Sequence, residues 1–149
     1  MAGDLFIDIK GLKEVINKFK NAPKTLVREM KKAMGLSMKI LREKTPAYPP
    51  KRANQKTNYI RQGILAKSLG KTMGGGNAGK PTVYSIKASG GNLTGTYGTK
   101  LNYAKYVIDE QRQAHFHKGW WWTMQQVGRQ SKDKIVKIWN DMITFILNK

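Results

Sequence analysis

The chain has 149 residues, the size of one domain, which is long enough to bury a hydrophobic core without disulfides or metals. It contains no cysteine, which excludes a disulfide framework and a cysteine-ligated zinc site and fits assembly in a reducing cytoplasm. Its 28 Lys and Arg residues outweigh 9 Asp and Glu, and the net charge of +19 predicts attraction to polyanions or acidic protein surfaces, or simply maintains solubility. No run approaches the ~18 apolar residues that span a bilayer, and no secretory signal pattern opens the chain, so we expect no membrane partner.

The amino-terminal part of the chain predicts a strand followed by two helices. Residues 5–10 are β-rich and partly alternating, and Gly11 ends that strand. Apolar residues at helical spacing between Leu12 and Phe19 predict a short helix, and a long helix is predicted over residues 24–44. The apolar stripe of the long helix consists of Leu26, Met30, Ala33, Met34, Ser37 and Leu41.

Three methionines, Met30, Met34 and Met38, lie on or beside this stripe. Methionine at helical spacing either lines an adaptable binding groove or fills a core against another element. We interpret these three as core residues, because Met at this spacing usually serves packing.

A basic segment follows the long helix and is predicted to be a mobile loop over about residues 46–81. Three prolines between Pro46 and Pro50 end the helix, and residues 51–62 show no apolar period. The short apolar patch from Ile64 to Leu69 fits either one helical turn or a strand, and Gly74–Gly79 fits a flexible hinge or loop tip. Residues 51–100 carry nine basic side chains and no acidic one, so this segment is the expected polyanion contact.

The second half of the chain predicts a hairpin and a last long helix. Residues 82–89 and 93–99 alternate in polarity around a glycine turn, which indicates a β-hairpin with one packed face. A helical turn is expected near Tyr103–Val107, an irregular segment over 109–119, and a helix from Trp120 to about Leu147. Together these elements predict a single α+β domain over residues 1–149, in which two long helices pack on a small antiparallel sheet.

The stretch from Gly74 to Pro81 nearly matches the phosphate-binding loop Gly-x-x-x-x-Gly-Lys-Ser/Thr. Pro81 replaces the hydroxyl that would hold magnesium, and a predicted strand follows where phosphate binding needs a helix N-terminus. We therefore interpret this stretch as a glycine loop and expect no nucleotide cofactor.

Metal binding and catalysis have little support in the sequence. His115 and His117, with Asp109 and Glu110 nearby, are compatible with a two-histidine carboxylate metal site, but no third fixed ligand is evident. The alternative is a polar loop whose histidines lie in solvent or at an interface. The nine carboxylates mostly fall in predicted helices beside lysines, which disfavours general acid–base chemistry. We expect no enzyme activity, no metal and no cofactor.

Trp120, Trp121 and Trp122 are adjacent. On a helix their side chains would point about 100° apart, so they cannot all face one core. At least one indole should be exposed or meet a partner, as interface anchors do. The alternative is that they fill the gap between the sheet and the last helix.

Short motifs at four places of the chain suggest a family. They are the opening Ile9-Lys10-Gly11-Leu12, the helix end Lys44-Thr45-Pro46, the segment Arg61-Gln62-Gly63-Ile64-Leu65-Ala66-Lys67-Ser68-Leu69, and Gly98-Thr99 with Tyr103-Ala104-Lys105-Tyr106-Val107. This layout resembles that of the tail-completion or neck proteins of long-tailed bacteriophages, which are head–tail joining or minor tail components.

The resemblance implies a non-enzymatic structural protein of the virion, made in the host cytoplasm and located at the junction of head and tail. It implies a ring of identical subunits, hexameric or dodecameric, that contacts neighbouring neck, connector or tail-tube proteins. The basic middle of the chain would then touch acidic neighbours or face DNA in the lumen, without sequence specificity. The expected interface residues are Arg52, Lys56, Arg61, Lys71, Lys80, Trp121 and Trp122.

A second hypothesis follows from charge alone. A chain with a net charge of +19 could act as a free-standing, sequence-independent nucleic-acid-binding protein whose basic loop contacts phosphates. Such binding would depend steeply on salt concentration.

Overall fold

The computed structural model describes residues 5–9, 23–48, 50, 63–89 and 92–148. Three of its elements are strands: β1 (Leu5–Ile9), β2 (Val83–Ser89) and β3 (Asn92–Gly98). They form one antiparallel sheet in the order β1-β3-β2, and Ile7, Gly95 and Ile86 lie opposite one another across it. The predicted β2–β3 hairpin is confirmed, and the amino-terminal strand pairs with its second strand.

The helical elements follow the predicted order. They are α1 (Pro23–Lys44), α2 (Ile64–Ser68), α3 (Lys105–Ile108) and α4 (Met124–Leu147), with 3-10 turns at Asn102–Ala104 and His115–His117. The apolar patch after residue 63 is therefore a helical turn and not a strand. Two long helices on a small antiparallel sheet confirm the predicted α+β class. No helix among these described residues has the length and apolarity to cross a membrane.

The predicted stripe of α1 is the centre of the core. All six stripe residues are at most 4% exposed, and Met38 is fully buried beside them. The core interpretation of the three methionines is therefore correct. The helix ends where proline requires it: Thr45 donates to the carbonyl of Leu41 from its amide and from its hydroxyl, and Pro46 follows.

One face of the hairpin packs on α1. Leu93 and Tyr97 of β3 are almost completely buried, while Thr94 and Thr96 between them are only partly buried, as one-faced alternation predicts. Gly95 lies where the sheet meets α1, because a Cβ atom there would approach the sulfur of Met34 to 2.6 Å. The absence of a side chain at this position allows the helix and strand to lie close together.

The two long helices run antiparallel. Trp139 in the middle of α4 donates its indole N–H to the hydroxyl of Ser37 on α1 over 3.1 Å. At the carboxyl end of α1, Tyr48 stacks on Trp121, which precedes α4. This pairing brings the segment before α4 against the loop that leaves α1, and that junction forms the candidate site. The predicted helix between Leu12 and Phe19 lies outside the described residues.

Candidate assembly surface

The three tryptophans do not belong to the last helix, contrary to the prediction. α4 begins at Met124, and Thr123 is its N-cap with extended backbone angles. The Thr123 hydroxyl accepts from the amide of Gln126, and the Gln126 side chain accepts from the amide of Thr123 over 2.7 Å. This capping box fixes the helix start, so the preceding indoles lie on a turn.

Two side chains distant in sequence hold that turn in place. Tyr48 stacks on the indole of Trp121 at 5.7 Å between ring centroids, and its hydroxyl donates to the carbonyl of Trp122. The side-chain amide of Gln113 donates to the backbone carbonyls of Val107 and Trp121, both over 2.7 Å. The turn is therefore fixed to α3 on one side and to the end of α1 on the other.

The fixed turn and the 3-10 turn before it (His115–His117) carry exposed aromatic side chains. Trp120 is 55% exposed, Trp122 is 40% exposed and Phe116 is 60% exposed. We call these three residues the aromatic surface. Trp121 is partly buried, and its ring contacts those of Tyr48 and of His117, whose centroid is 4.8 Å away. The expectation that the indoles could not all be buried is confirmed: Trp120 and Trp122 are exposed, whereas Trp121 is partly buried.

The prediction that Lys71 is an exposed interface residue is wrong, since only 2% of its surface is accessible. Its ammonium group donates to the carbonyl of Arg42 over 3.0 Å and to the side-chain oxygen of Asn77 over 3.1 Å. The Arg42 carbonyl belongs to the last turn of α1, where carbonyls have no partner in the helix. Lys71 thus provides a hydrogen-bond donor for a free carbonyl at the carboxyl end of α1. Burial, together with the nearby Arg42 guanidinium, lowers the pKa of Lys71.

Arg42 and Lys71 also hold the two ends of the glycine loop together. Arg42 donates to the carbonyls of Gly70 and Gly79 over 2.8 and 2.6 Å, and an antiparallel bridge joins Lys71 to Asn77. A strand, β2, follows the loop as predicted, without a helix N-terminus for a phosphate. Residues 63–81 of the predicted mobile loop are therefore a hydrogen-bonded unit attached to the end of α1.

Exposed lysines gather at one end of the hairpin. Thr82 at the start of β2 donates from its amide to the carbonyl of Ser68 over 2.7 Å, and Lys100 donates from its amide to the Thr82 hydroxyl over 3.1 Å. These bonds bring Ser68, Thr82 and Lys100 together, and exposed lysines lie at or within two residues of each of them. Those lysines are Lys67, Lys80 and Lys100, which we call the basic surface.

No Asp or Glu lies close in sequence to these three lysines. Residues 44–108 contain no Asp or Glu, and the three lysines make no ion pair with any described residue. Lys80, an expected interface residue, belongs to this surface. Arg52, Lys56 and Arg61, the other basic residues of that expectation, lie outside the described residues.

The carboxylates near the histidines are engaged elsewhere. Glu110 accepts two bonds from the guanidinium of Arg129, at 2.6 and 3.1 Å, and these bonds lower the pKa of Glu110. Asp109 accepts from the amide of Gln111 and from the side chain of Gln125. Within the part of the chain that the structure describes, no three His, Asp or Glu side chains come together as a metal site would require.

Sequence patterns did not indicate the two residues that fix the aromatic surface. Tyr48 lies among prolines and Gln113 lies in a polar segment, and neither position has a periodic neighbour that would place it in the core. Only the tertiary contacts of their polar atoms reveal their role. Phe116 and Trp120 were likewise not singled out as interface residues, although their size and apolarity were visible.

No protein-family model, no curated protein and no solved structure matches this chain.

Proposed function

We propose that this chain is a structural protein of the bacteriophage virion, located at the head–tail junction, which acts by assembling with itself in a ring and with neighbouring virion proteins. The observation that carries the assembly role is the rigidly held aromatic surface. Exposed aromatic side chains on a fixed backbone provide contact area at low entropic cost, as anchors of protein interfaces do. The placement in a virion rests on the resemblance of the four short motifs.

The fourth of these motifs has a form suited to an interface. Its small and apolar members, Ala104 and Val107, are buried, whereas Tyr103 and Tyr106 are 45% and 53% exposed. The buried members attach the motif to the core, and the two tyrosine rings are exposed on the surface, where a neighbouring subunit would contact them. The backbone carbonyl of Tyr106 accepts from the amide of Ala114 over 2.9 Å, which ties this motif to the segment that carries the aromatic surface.

The basic surface is the second proposed contact, and its positive charge determines which partners it attracts. Exposed lysines without carboxylate neighbours attract an acidic face of an adjoining subunit, or the phosphates of DNA in the lumen of a ring. The lysines would contact phosphates, which carry no sequence information, so DNA contact would be independent of sequence. Ring contacts of this kind are heterologous, with a different surface on each side of the subunit.

The test is genetic and structural. In a phage that lacks the gene for this chain, complementation with the wild-type gene should restore joined particles, and cryo-electron microscopy should place its density in a ring at the neck. The double variant Trp120→Ala/Trp122→Ala should yield separate heads and tails. Tyr84→Ala is the matched control, because Tyr84 is 45% exposed and lies on β2, not on the turns that carry the aromatic surface.

Two outcomes would contradict the proposal in different ways. Normal joined tails without the gene would refute the location at the head–tail junction. Loss of tails without the gene, but full rescue by the double tryptophan variant, would retain the location and refute the aromatic surface as the contact.

The alternative function is a free-standing nucleic-acid-binding protein. The absence of any Asp or Glu over residues 44–108 favours it, since phosphates would meet no local repulsion. Affinity for duplex DNA no better than millimolar at physiological salt would eliminate it.

A further inference from the structure

The second half of α4 carries apolar side chains that are exposed among the described residues. Its inner side, formed by Ile135, Trp139, Met142 and Ile146, packs partly buried against the core. On the outer side, Val136 and Ile143 are each 48% exposed and Leu147 is 64% exposed. At 3.6 residues per turn these three side chains lie on one face adjacent to Trp139, so the apolar arc extends well beyond the side that faces the core.

The exposed residues have the spacing of a helix-pairing seam. Val136, Asn140, Ile143 and Leu147, which we call the outer stripe, follow one another at intervals of four, three and four. This is the interval pattern of the inward positions of a two-helix coiled coil. Asn140 interrupts the apolar series, and a polar residue at an inward position lowers the stability of a helix pair.

Charge distinguishes a second copy of the chain from an acidic partner. Residues 132–148 contain three lysines and two aspartates, a net charge of +1, whereas the whole chain carries +19. Lys137 and Asp141, which flank the stripe, pair with each other over 3.2 Å. Two strongly basic chains repel each other, so they approach at least cost where each is nearly neutral and apolar.

We propose that two free copies of this chain associate through the outer stripe, with the two α4 helices antiparallel. Val136 of one copy then packs on Leu147 of the other, and Asn140 packs on Ile143. A parallel pair would align the Asp133 side chains of the two copies along the same face. The antiparallel pair keeps the two Asp133 side chains apart and opposes the helix dipoles.

The contact is short, which sets its strength. The outer stripe spans 11 residue intervals, or about 16 Å of helix, and its buried area falls at or below the ~1,000 Å² of a stable interface. We therefore expect reversible pairing with a dissociation constant on the order of 10–100 µM. The inference concerns the chain in solution and stands whether or not it assembles in a virion.

Sedimentation equilibrium of the full chain from about 5 to 500 µM tests this pairing. The apparent mass should rise toward two chains, and more so at high salt, which screens the repulsion. Ile143→Asp should weaken the association at least tenfold, whereas Asn140→Leu should strengthen it about tenfold. Phe145→Asp is the control, because Phe145 is also 48% exposed but lies on the opposite side of α4 from Ile143.

Cross-linking tests the orientation, since the chain has no cysteine of its own. The double variant Val136→Cys/Leu147→Cys should form a disulfide-linked dimer on oxidation, and Val136→Cys alone should not. Circular dichroism and thermal unfolding confirm that each variant is folded. A chain that stays monomeric at 500 µM, a dimer that Ile143→Asp leaves intact, or efficient cross-linking of Val136→Cys alone would each overturn the proposal.

Discussion

Tyr48 and Tyr97 show how single buried hydroxyls connect distant segments. Tyr97 of β3 donates to the carbonyl of Leu69 over 3.1 Å, and Tyr48 donates to the carbonyl of Trp122. Both rings are almost inaccessible to solvent. Burial disfavours the phenolate, so the pKa of Tyr48 rises and that of Tyr97 rises to about 12.

These raised pKa values predict a loss of stability in alkali. In the unfolded chain a tyrosine loses its proton near pH 10, whereas the folded chain retains it, so above pH 10 the unfolded state binds fewer protons and stability falls. Ionisation at Tyr97 alone should remove on the order of 1 kcal/mol by pH 11, because the unfolded chain loses this proton near pH 10 and the folded chain near pH 12. Urea unfolding at pH 8 and pH 11 should show a smaller decrease for Tyr97→Phe. An equal decrease in both proteins would show that Tyr97 does not carry the effect.

At the scale of elements, the close crossing of α1 and β3 depends on one glycine. A Cβ atom at Gly95 would lie 2.6 Å from the sulfur of Met34 and 2.8 Å from that of Met38. Both methionines are fully buried, so neither can move into solvent. The helix and the sheet would have to separate, or the two side chains would have to adopt other rotamers.

Gly95→Ala should therefore destabilise the fold by about 1–3 kcal/mol, the usual cost of overpacking a core. Gly74→Ala provides the control, because the nearest atom to its Cβ would be the Thr72 hydroxyl at 3.9 Å. We expect the control to change the free energy of unfolding by less than about 0.5 kcal/mol. Chemical denaturation of both variants measures the difference, and similar values for the two would refute the close packing at Gly95.

At the scale of the whole molecule, the basic surface and the outer stripe lie on different elements. The basic surface lies where the hairpin meets α2, and its lysines have no described acidic partner. The outer half of α4 is close to neutral, with three lysines and two aspartates. A polyanion and a second copy of the chain are thus expected on different parts of the molecule.

Binding to duplex DNA should test that separation. The triple variant Lys67→Gln/Lys80→Gln/Lys100→Gln should lower the slope of log K against log salt by about 2–3, since each phosphate that a lysine neutralises adds ~0.9 to the slope. Lys132→Gln/Lys134→Gln/Lys137→Gln removes the same charge from α4 and should change the slope far less. Fluorescence anisotropy across salt concentrations provides the measurement, and equal slopes for the two variants would show that only net charge matters.

Much of the architecture was readable from local patterns. The stripe of α1, the polarity alternation of the hairpin and the prolines after Lys44 each act through neighbours in sequence, so they predicted elements and class correctly. Lys71 and the start of α4 were mispredicted because each depends on particular side-chain contacts that an apolar pattern does not show. The burial of Lys71 depends on the end of α1, 29 positions away, and the helix start depends on the capping box at Thr123.

The sequence by itself determined that this protein is a basic α+β domain with a methionine-rich helix in its core, because periodicity and composition are local properties. Only the tertiary structure decided which exposed groups form surfaces. Tyr48 and Gln113 turn a row of tryptophans into a fixed aromatic surface through hydrogen bonds to Trp122 and Trp121. Hydrogen bonds at Ser68 and Thr82 gather lysines that lie far apart in the chain. Such contacts depend on distance in space, which residue spacing does not encode.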